Sequence, residues 1–187
     1  MTAGFFGKLP SRGDFVRHGL PPSLVQPLDA WWQVVLPGSQ ALLGRAWRDA
    51  WMEAPAWRFL LAPGCCGPDA AAGLWLPSTD RAGRLFPLTL ALVLPSWQEA
   101  AGCGPFLDAA EAIALAAVEQ DVPPEQLAAA VAAAAARVSG APAPGAAPLP
   151  GPRSSTWWTS GSSRVAPGQR QHAGMPDAAA FAAMLQD

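Results

Sequence analysis

The side chains with the most capacity for chemistry are a small set of charges placed among glycines and prolines: Lys8, Arg12 and Asp14, and later Asp80, Arg81 and Arg84. A lysine that follows glycines invites comparison with a phosphate loop, in which backbone N–H groups and an ammonium cradle a nucleotide. Gly4-Phe5-Phe6-Gly7-Lys8-Leu9 departs from that pattern twice. Its glycines are too close together, and leucine stands where Ser or Thr would hold the magnesium ion. Neither G-x-G-x-x-G nor G-x-S-x-G occurs, which removes the usual sequence support for a dinucleotide fold or a hydrolase elbow.

Other chemistries are equally short of parts. His18 and His172 have no second ligand-type residue one helical turn away, and Cys65, Cys66 and Cys103 lack the spacing of a zinc site. Ser11 lies three residues after Lys8, the reverse of an S-x-x-K nucleophile, and Ser78 has only Asp80 nearby. Asp14, Asp29 and Asp80 each read as acceptors for backbone donors in turns or at helix ends. The expectation is therefore no catalytic residue, no metal and no cofactor. Two readings of the loop charges stay open. Either they join loops through internal ion pairs, or Lys8, Arg12 and Arg84 form part of a face that meets a partner.

The first element that must hold these residues is a short apolar strand over Ala3 to Leu9, stopped by Pro10. Leu24, Leu28, Trp31, Trp32, Val35 and Leu36 recur at helical spacing, and Pro37-Gly38 is expected to end that helix before a second one carrying Leu43, Trp47 and Trp51. Trp57 to Ala62 and Gly73 to Pro77 are rich in strand formers. The turn Ser78 to Gly83 then predicts a hairpin with the strand Leu85 to Leu94, whose run Leu88 to Leu94 is apolar on both alternations and so belongs inside a sheet. Two alanine-rich helices follow, with stripes Phe106, Ala110, Ile113, Ala117 and Leu127, Val131, Ala134, Val138. Residues 139–155 are dominated by Ala, Pro, Gly and Ser and read as a surface loop or linker. Thr156 to Thr159 is a short strand, a polar loop comes next, and Ala178 to Leu185 is a last helix. Strands and helices are mixed without sustained βαβ alternation, which predicts a single α+β domain with a largely antiparallel central sheet flanked by helices.

With half its residues apolar and 14% charged, the chain can bury a core rather than remain disordered. A net charge of −2 with scattered arginines offers no stripe for nucleic acid. Prolines close the apolar runs well short of a membrane span, Lys8, Arg12 and Asp14 interrupt any signal-peptide core, and three cysteines without framework spacing suit a reducing compartment. A cytoplasmic protein with no direct membrane insertion is expected. Of nine tryptophans, Trp47, Trp51 and Trp75 belong to the core, while one of Trp31-Trp32 or Trp157-Trp158 is expected to face outward.

The block Gly4-Phe5-Phe6-Gly7-Lys8-Leu9-Pro10-Ser11-Arg12-Gly13-Asp14-Phe15, continued by Leu20-Pro21, Leu28-Asp29 and Trp31, resembles the TagF (ImpM) family of type VI secretion-associated proteins. Trp57-Arg58-Phe59 and the hairpin Pro77 to Leu88 follow in the family's order, and Trp157-Trp158 and Gly174-Met175-Pro176 with Phe181 resemble its closing elements. The resemblance implies a non-enzymatic negative regulator that acts post-translationally by binding, with the forkhead-associated scaffold protein and the membrane-complex components of the secretion machine as partners. Some relatives carry a PP2C-type phosphatase domain, whose paired metal-binding aspartates this sequence lacks. Two alternatives remain: a small-ligand or nucleotide binder using the glycine-rich Lys8 loop, and a structural subunit of the machine.

Overall fold

The computed structural model describes residues 1–138 and 151–186. These form seven strands in one sheet: β1 (Thr2–Gly7), β2 (Val16–His18), β3 (Trp57–Leu61), β4 (Ala70–Leu76), β5 (Leu88–Leu94), β6 (Ser154–Thr159) and β7 (Gly168–Ala173). Their order is β2-β1-β5-β4-β3-β6-β7, with every neighbouring pair antiparallel. Five helices cover it: α1 (Pro22–Leu43), α2 (Trp47–Met52), α3 (Gly104–Glu119), α4 (Pro124–Ala135) and α5 (Ala178–Met184). The architecture is the α+β arrangement with an antiparallel sheet that the sequence predicts.

Strand alternation divides the interior into two cores. Phe6, Phe59, Trp75 and Trp157 face one way, against Trp32 and Trp51 of α1 and α2 and Phe181 of α5. Phe5, Leu60, Leu74 and Leu90 face the other way, against Phe106 and Ala110 of α3 and Leu127 and Val131 of α4. A strand buried on both faces cannot alternate apolar with polar, and this is why β5 reads Leu-Thr-Leu-Ala-Leu-Val-Leu. The β4–β5 hairpin is formed as expected, but its second strand begins at Leu88. Leu85 contributes only an isolated bridge to Thr79.

Three expectations need correction. Helix α1 runs straight through Pro37-Gly38. Proline inside a helix forfeits one hydrogen bond and costs about 3 kcal/mol, but here Pro37 lies on the exposed side, where the freed carbonyl is open to water. On the inner side Ser39 donates to the Leu36 carbonyl at 2.9 Å and accepts the Trp47 indole N–H at 2.9 Å. Gly38 allows the closest approach of α5, since a Cβ there would sit 2.5 Å from that of Ala178. Second, the polar loop expected after Trp158 contains β7, an edge strand with one exposed side and no apolar side chain larger than alanine. Third, the linker is shorter than read: Ser154 and Ser155 belong to β6, while residues 139–150 lie outside the described residues. The three-residue strand β2 has no counterpart in the sequence reading.

Trp47, Trp51 and Trp75 are buried, and each adjacent tryptophan pair has one fully buried ring and one half-buried ring: Trp32 with Trp31, Trp157 with Trp158. Trp31 turns its indole N–H to the Pro176 carbonyl at 2.7 Å, which ties α1 to the entry of α5. The Asp177 carboxylate caps that helix by accepting the Ala180 N–H at 2.8 Å. Trp32, Trp51 and Trp75 bury their indole nitrogens without an oxygen acceptor. They meet one another instead, Trp32 lying edge-on to Trp75 at 5.3 Å and Trp51 stacked on Trp75 at 5.9 Å.

Candidate functional site: a buried ion-pair node beneath an arginine-bearing surface

Strand β1 delivers Lys8 to the end of the sheet, where its backbone N–H donates to the Pro87 carbonyl at 3.3 Å. The side chain turns inward. Its Nζ donates to Asp80 Oδ2 at 2.8 Å, and both side chains are buried. The two carboxylate oxygens of Asp80 divide their work. Oδ1 accepts the backbone N–H groups of Ala82 and Arg84, each at 2.9 Å, and so closes the hairpin loop. Oδ2 accepts the two cations, Lys8 and the Nε of Arg84 at 2.6 Å. The Lys8 hydrogen bond outweighs burial and, with the bonds from Arg84, holds the Asp80 carboxyl well below the usual carboxylate range. With four donors on its two oxygens, this carboxylate has no acceptor position left for a substrate proton.

Further bonds join the same two loops. Ser78 Oγ donates to the Lys8 carbonyl at 2.8 Å, the Arg81 N–H donates to the Arg12 carbonyl at 2.9 Å, and an Arg84 terminal nitrogen donates to the Gly13 carbonyl at 2.8 Å. Phe15 lies under the Lys8 ammonium at 5.2 Å, stacks on Phe6 and meets Phe86 edge-on, yet is 48% exposed. The structure therefore divides the six charged candidates. Lys8 and Asp80 are spent on each other inside, Arg84 spans from the node to the surface, and Arg12, Asp14 and Arg81 are exposed. Lys8 is not available to a partner-binding face, because only 6% of it reaches solvent. The glycine-rich stretch ahead of it is a strand rather than a phosphate-binding loop.

Arg12, Asp14, Phe15 and Arg81 line an open depression of about 390 Å³ that reaches Pro124 and Glu125 at the start of α4. Sequence reasoning missed Phe15 and Glu125 as members of this surface. Phe15 enters the sequence reading only as part of the glycine-rich block, and Glu125 is distant in sequence.

The cysteines and His172 take no part in it. Burial pushes the Cys65 thiol up to about 11 and the Cys66 and Cys103 thiols up to about 12. A thiol that stays protonated is a poor nucleophile. Iodoacetamide at neutral pH should leave all three unmodified in the folded protein and label all three after denaturation, as counted by intact mass. Among the described residues no three His, Cys, Asp or Glu side chains gather as a metal site would require. Arg58 of β3 is ion-paired within the fold: it donates to Glu111 and Asp108 of α3, each at 2.7 Å.

His172 on β7 has its pKa lowered, first by burial and then by the Arg170 charge, with Asp177 acting the other way. Its unfolded form binds a proton more readily, so stability is complete above the ordinary value of 6.5 and declines as pH falls below it. Asp80 is likewise depressed in the folded state, and its contribution is complete above 3.8 and lost on further acidification. Melting temperature should thus be level from neutrality up to the ordinary thiol value of 9.0, above which the buried cysteines favour the unfolded chain. On the acid side it should fall in two stages, of which His172→Gln removes only the first.

The described residues include no helix long and apolar enough to cross a membrane. No curated protein matches the chain. The crystal structure of PA0076 from Pseudomonas aeruginosa PAO1 is similar in fold, with a TM-score of 0.82 and 34% identity over 98% of this chain and 94% of that one. The family model described as the TagF N-terminal domain, type VI secretion system-associated, matches residues 4–134, which run from within β1 to the last turn of α4 and include the whole Lys8–Asp80 node. The chain thus belongs to the TagF N-terminal domain family of type VI secretion-associated proteins.

Proposed function

We propose that this protein is a non-enzymatic cytoplasmic accessory of type VI secretion that restrains the machine after translation by binding its components, the forkhead-associated scaffold protein and membrane-complex subunits among them. One observation carries the reading. The groups best suited to chemistry, Lys8 and Asp80, are consumed as an internal fastening, while the loops they join carry Arg12, Phe15, Arg81 and Arg84 on the outside. Arginine and aromatic residues on a rigid frame are what protein interfaces favour. Among the described residues Arg12 and Arg81 have no side-chain partner of their own, so they are free to meet carboxylates on another protein.

The test is binding of the purified protein to the recombinant scaffold, measured by calorimetry. Arg12→Glu combined with Arg81→Glu should weaken binding about tenfold or more, since like charges are then opposed across the contact. The melting temperature should stay unchanged because both positions are exposed. In cells, deletion should raise secretion; loss of secretion would instead identify a structural subunit. A saturable rise in melting temperature with a nucleotide would favour the small-ligand alternative.

A further inference from the structure

A second surface, bordered by Pro10, is lined by none of the arginines. Met52 at the end of α2, Pro55, Leu76 of β4, and Leu115 and Val118 of α3 line a groove of about 490 Å³. Among the described residues only six large apolar side chains are exposed, and two of them, Met52 at 57% and Leu115 at 42%, form walls of this groove. Its charged lining is acidic only: Glu111 and Glu119 stand on the same α3 stripe as Leu115, and no lysine or arginine lines it. Glu111 is answered by Arg58, whereas Glu119 is exposed and has no ion-pair partner among the described residues.

We propose that this groove docks a segment of another protein that presents about two or three apolar anchors beside lysine or arginine, the apolar anchors meeting Met52, Leu115 and Val118 and the basic side chain meeting Glu119. Charge complementarity selects this occupant over the others. The chain's own residues 139–150 supply leucine and proline but no basic residue. Two copies meeting groove to groove would bring their unpaired Glu119 carboxylates into one contact, and an anionic membrane would meet the same unpaired charge. The inference does not depend on the arginine-bearing face, because it concerns different side chains and the opposite charge.

The probe is a fluorescein-labelled amphipathic leucine–lysine peptide, with leucine–glutamate and serine–lysine peptides as comparisons, read by anisotropy against the full chain. The leucine–lysine peptide should bind best. Its affinity should fall about tenfold or more in Leu115→Asp and in Met52→Asp. Glu119→Lys should weaken it and strengthen the leucine–glutamate peptide. Equal binding of the serine–lysine peptide, or affinity indifferent to all three substitutions, overturns the proposal, since attraction to the acidic surface at large would then explain it. It is also overturned if sedimentation shows a dimer that Leu115→Asp dissociates, if removing residues 140–150 raises peptide affinity tenfold, or if anionic vesicles compete. Melting curves confirm that each exposed variant is folded, and Met52 and Leu115 lie on separate helices, so a defect peculiar to one helix is distinguishable from loss of the groove.

Discussion

Asp80→Asn should lower the melting temperature more than any exposed substitution, although it changes one oxygen for one nitrogen. Asparagine keeps the oxygen that accepts the Ala82 and Arg84 N–H groups, so the loop closure survives. It replaces the other oxygen with an amide NH₂, which then points at two cations, Lys8 and Arg84. Arg84 can swing into solvent, its side chain being 65% exposed, but Lys8 cannot follow. A buried ammonium without a counter-charge is the expensive half of a broken ion pair.

Lys8→Met removes the cation and leaves Asp80 with Arg84 and its two backbone donors. It should cost about 3 kcal/mol, the lower end for breaking a buried pair, and at this chain length about 6–12 °C in melting temperature. The double variant is the decisive measurement. With both charges gone nothing is stranded, and it should melt above Asp80→Asn alone. Strict additivity would mean that the pair is not the source of the loss.

Gly4→Ala is the second substitution with a large expected effect. A Cβ at Gly4 would overlap the His18 carbonyl oxygen and stand 2.7 Å from the Leu20 nitrogen, and these are backbone atoms that cannot rotate aside. The β1–β2 hairpin must open or shift, at about 3 kcal/mol or more. Gly13→Ala, nine residues on in the same block, meets nothing within 4 Å and should be neutral or slightly stabilising. Thermal melts of the two variants side by side would check the contrast. Equal melting temperatures would mean that β2 does not press on β1 as the structure has it. The same close packing accounts for the glycines that give this block its passing likeness to a phosphate loop. Gly4 lies under His18, and Gly7 adopts a φ of +145° against the Pro87 carbonyl.

Much of the scaffold is written locally. Leu88 to Leu94 can only be a strand covered on both faces, the alanine-rich stretches around Phe106 and Leu127 carry helical stripes, and Ser78 to Gly83 has the residues of a tight connection. Such features depend on neighbours a few positions away, and neighbours in sequence are also neighbours in space. Helix α1, by contrast, continues past Pro37 and packs its Gly38 against Ala178 of α5, which arrives from the other end of the chain. Strand β7 has no apolar pattern because it covers little core. It exists because β6 offers it an edge.

The charged candidates mark the boundary most clearly. Their types and their placement among glycines and prolines determined that Lys8, Arg12, Asp14, Asp80, Arg81 and Arg84 would matter. The sequence by itself left open whether they fasten loops together or face a partner. Tertiary structure decided that Lys8 and Asp80 go inward while Arg12 and Arg81 stay out. Burial is a property of what folds over a residue, and the loops that enclose this node lie some seventy residues apart in the chain.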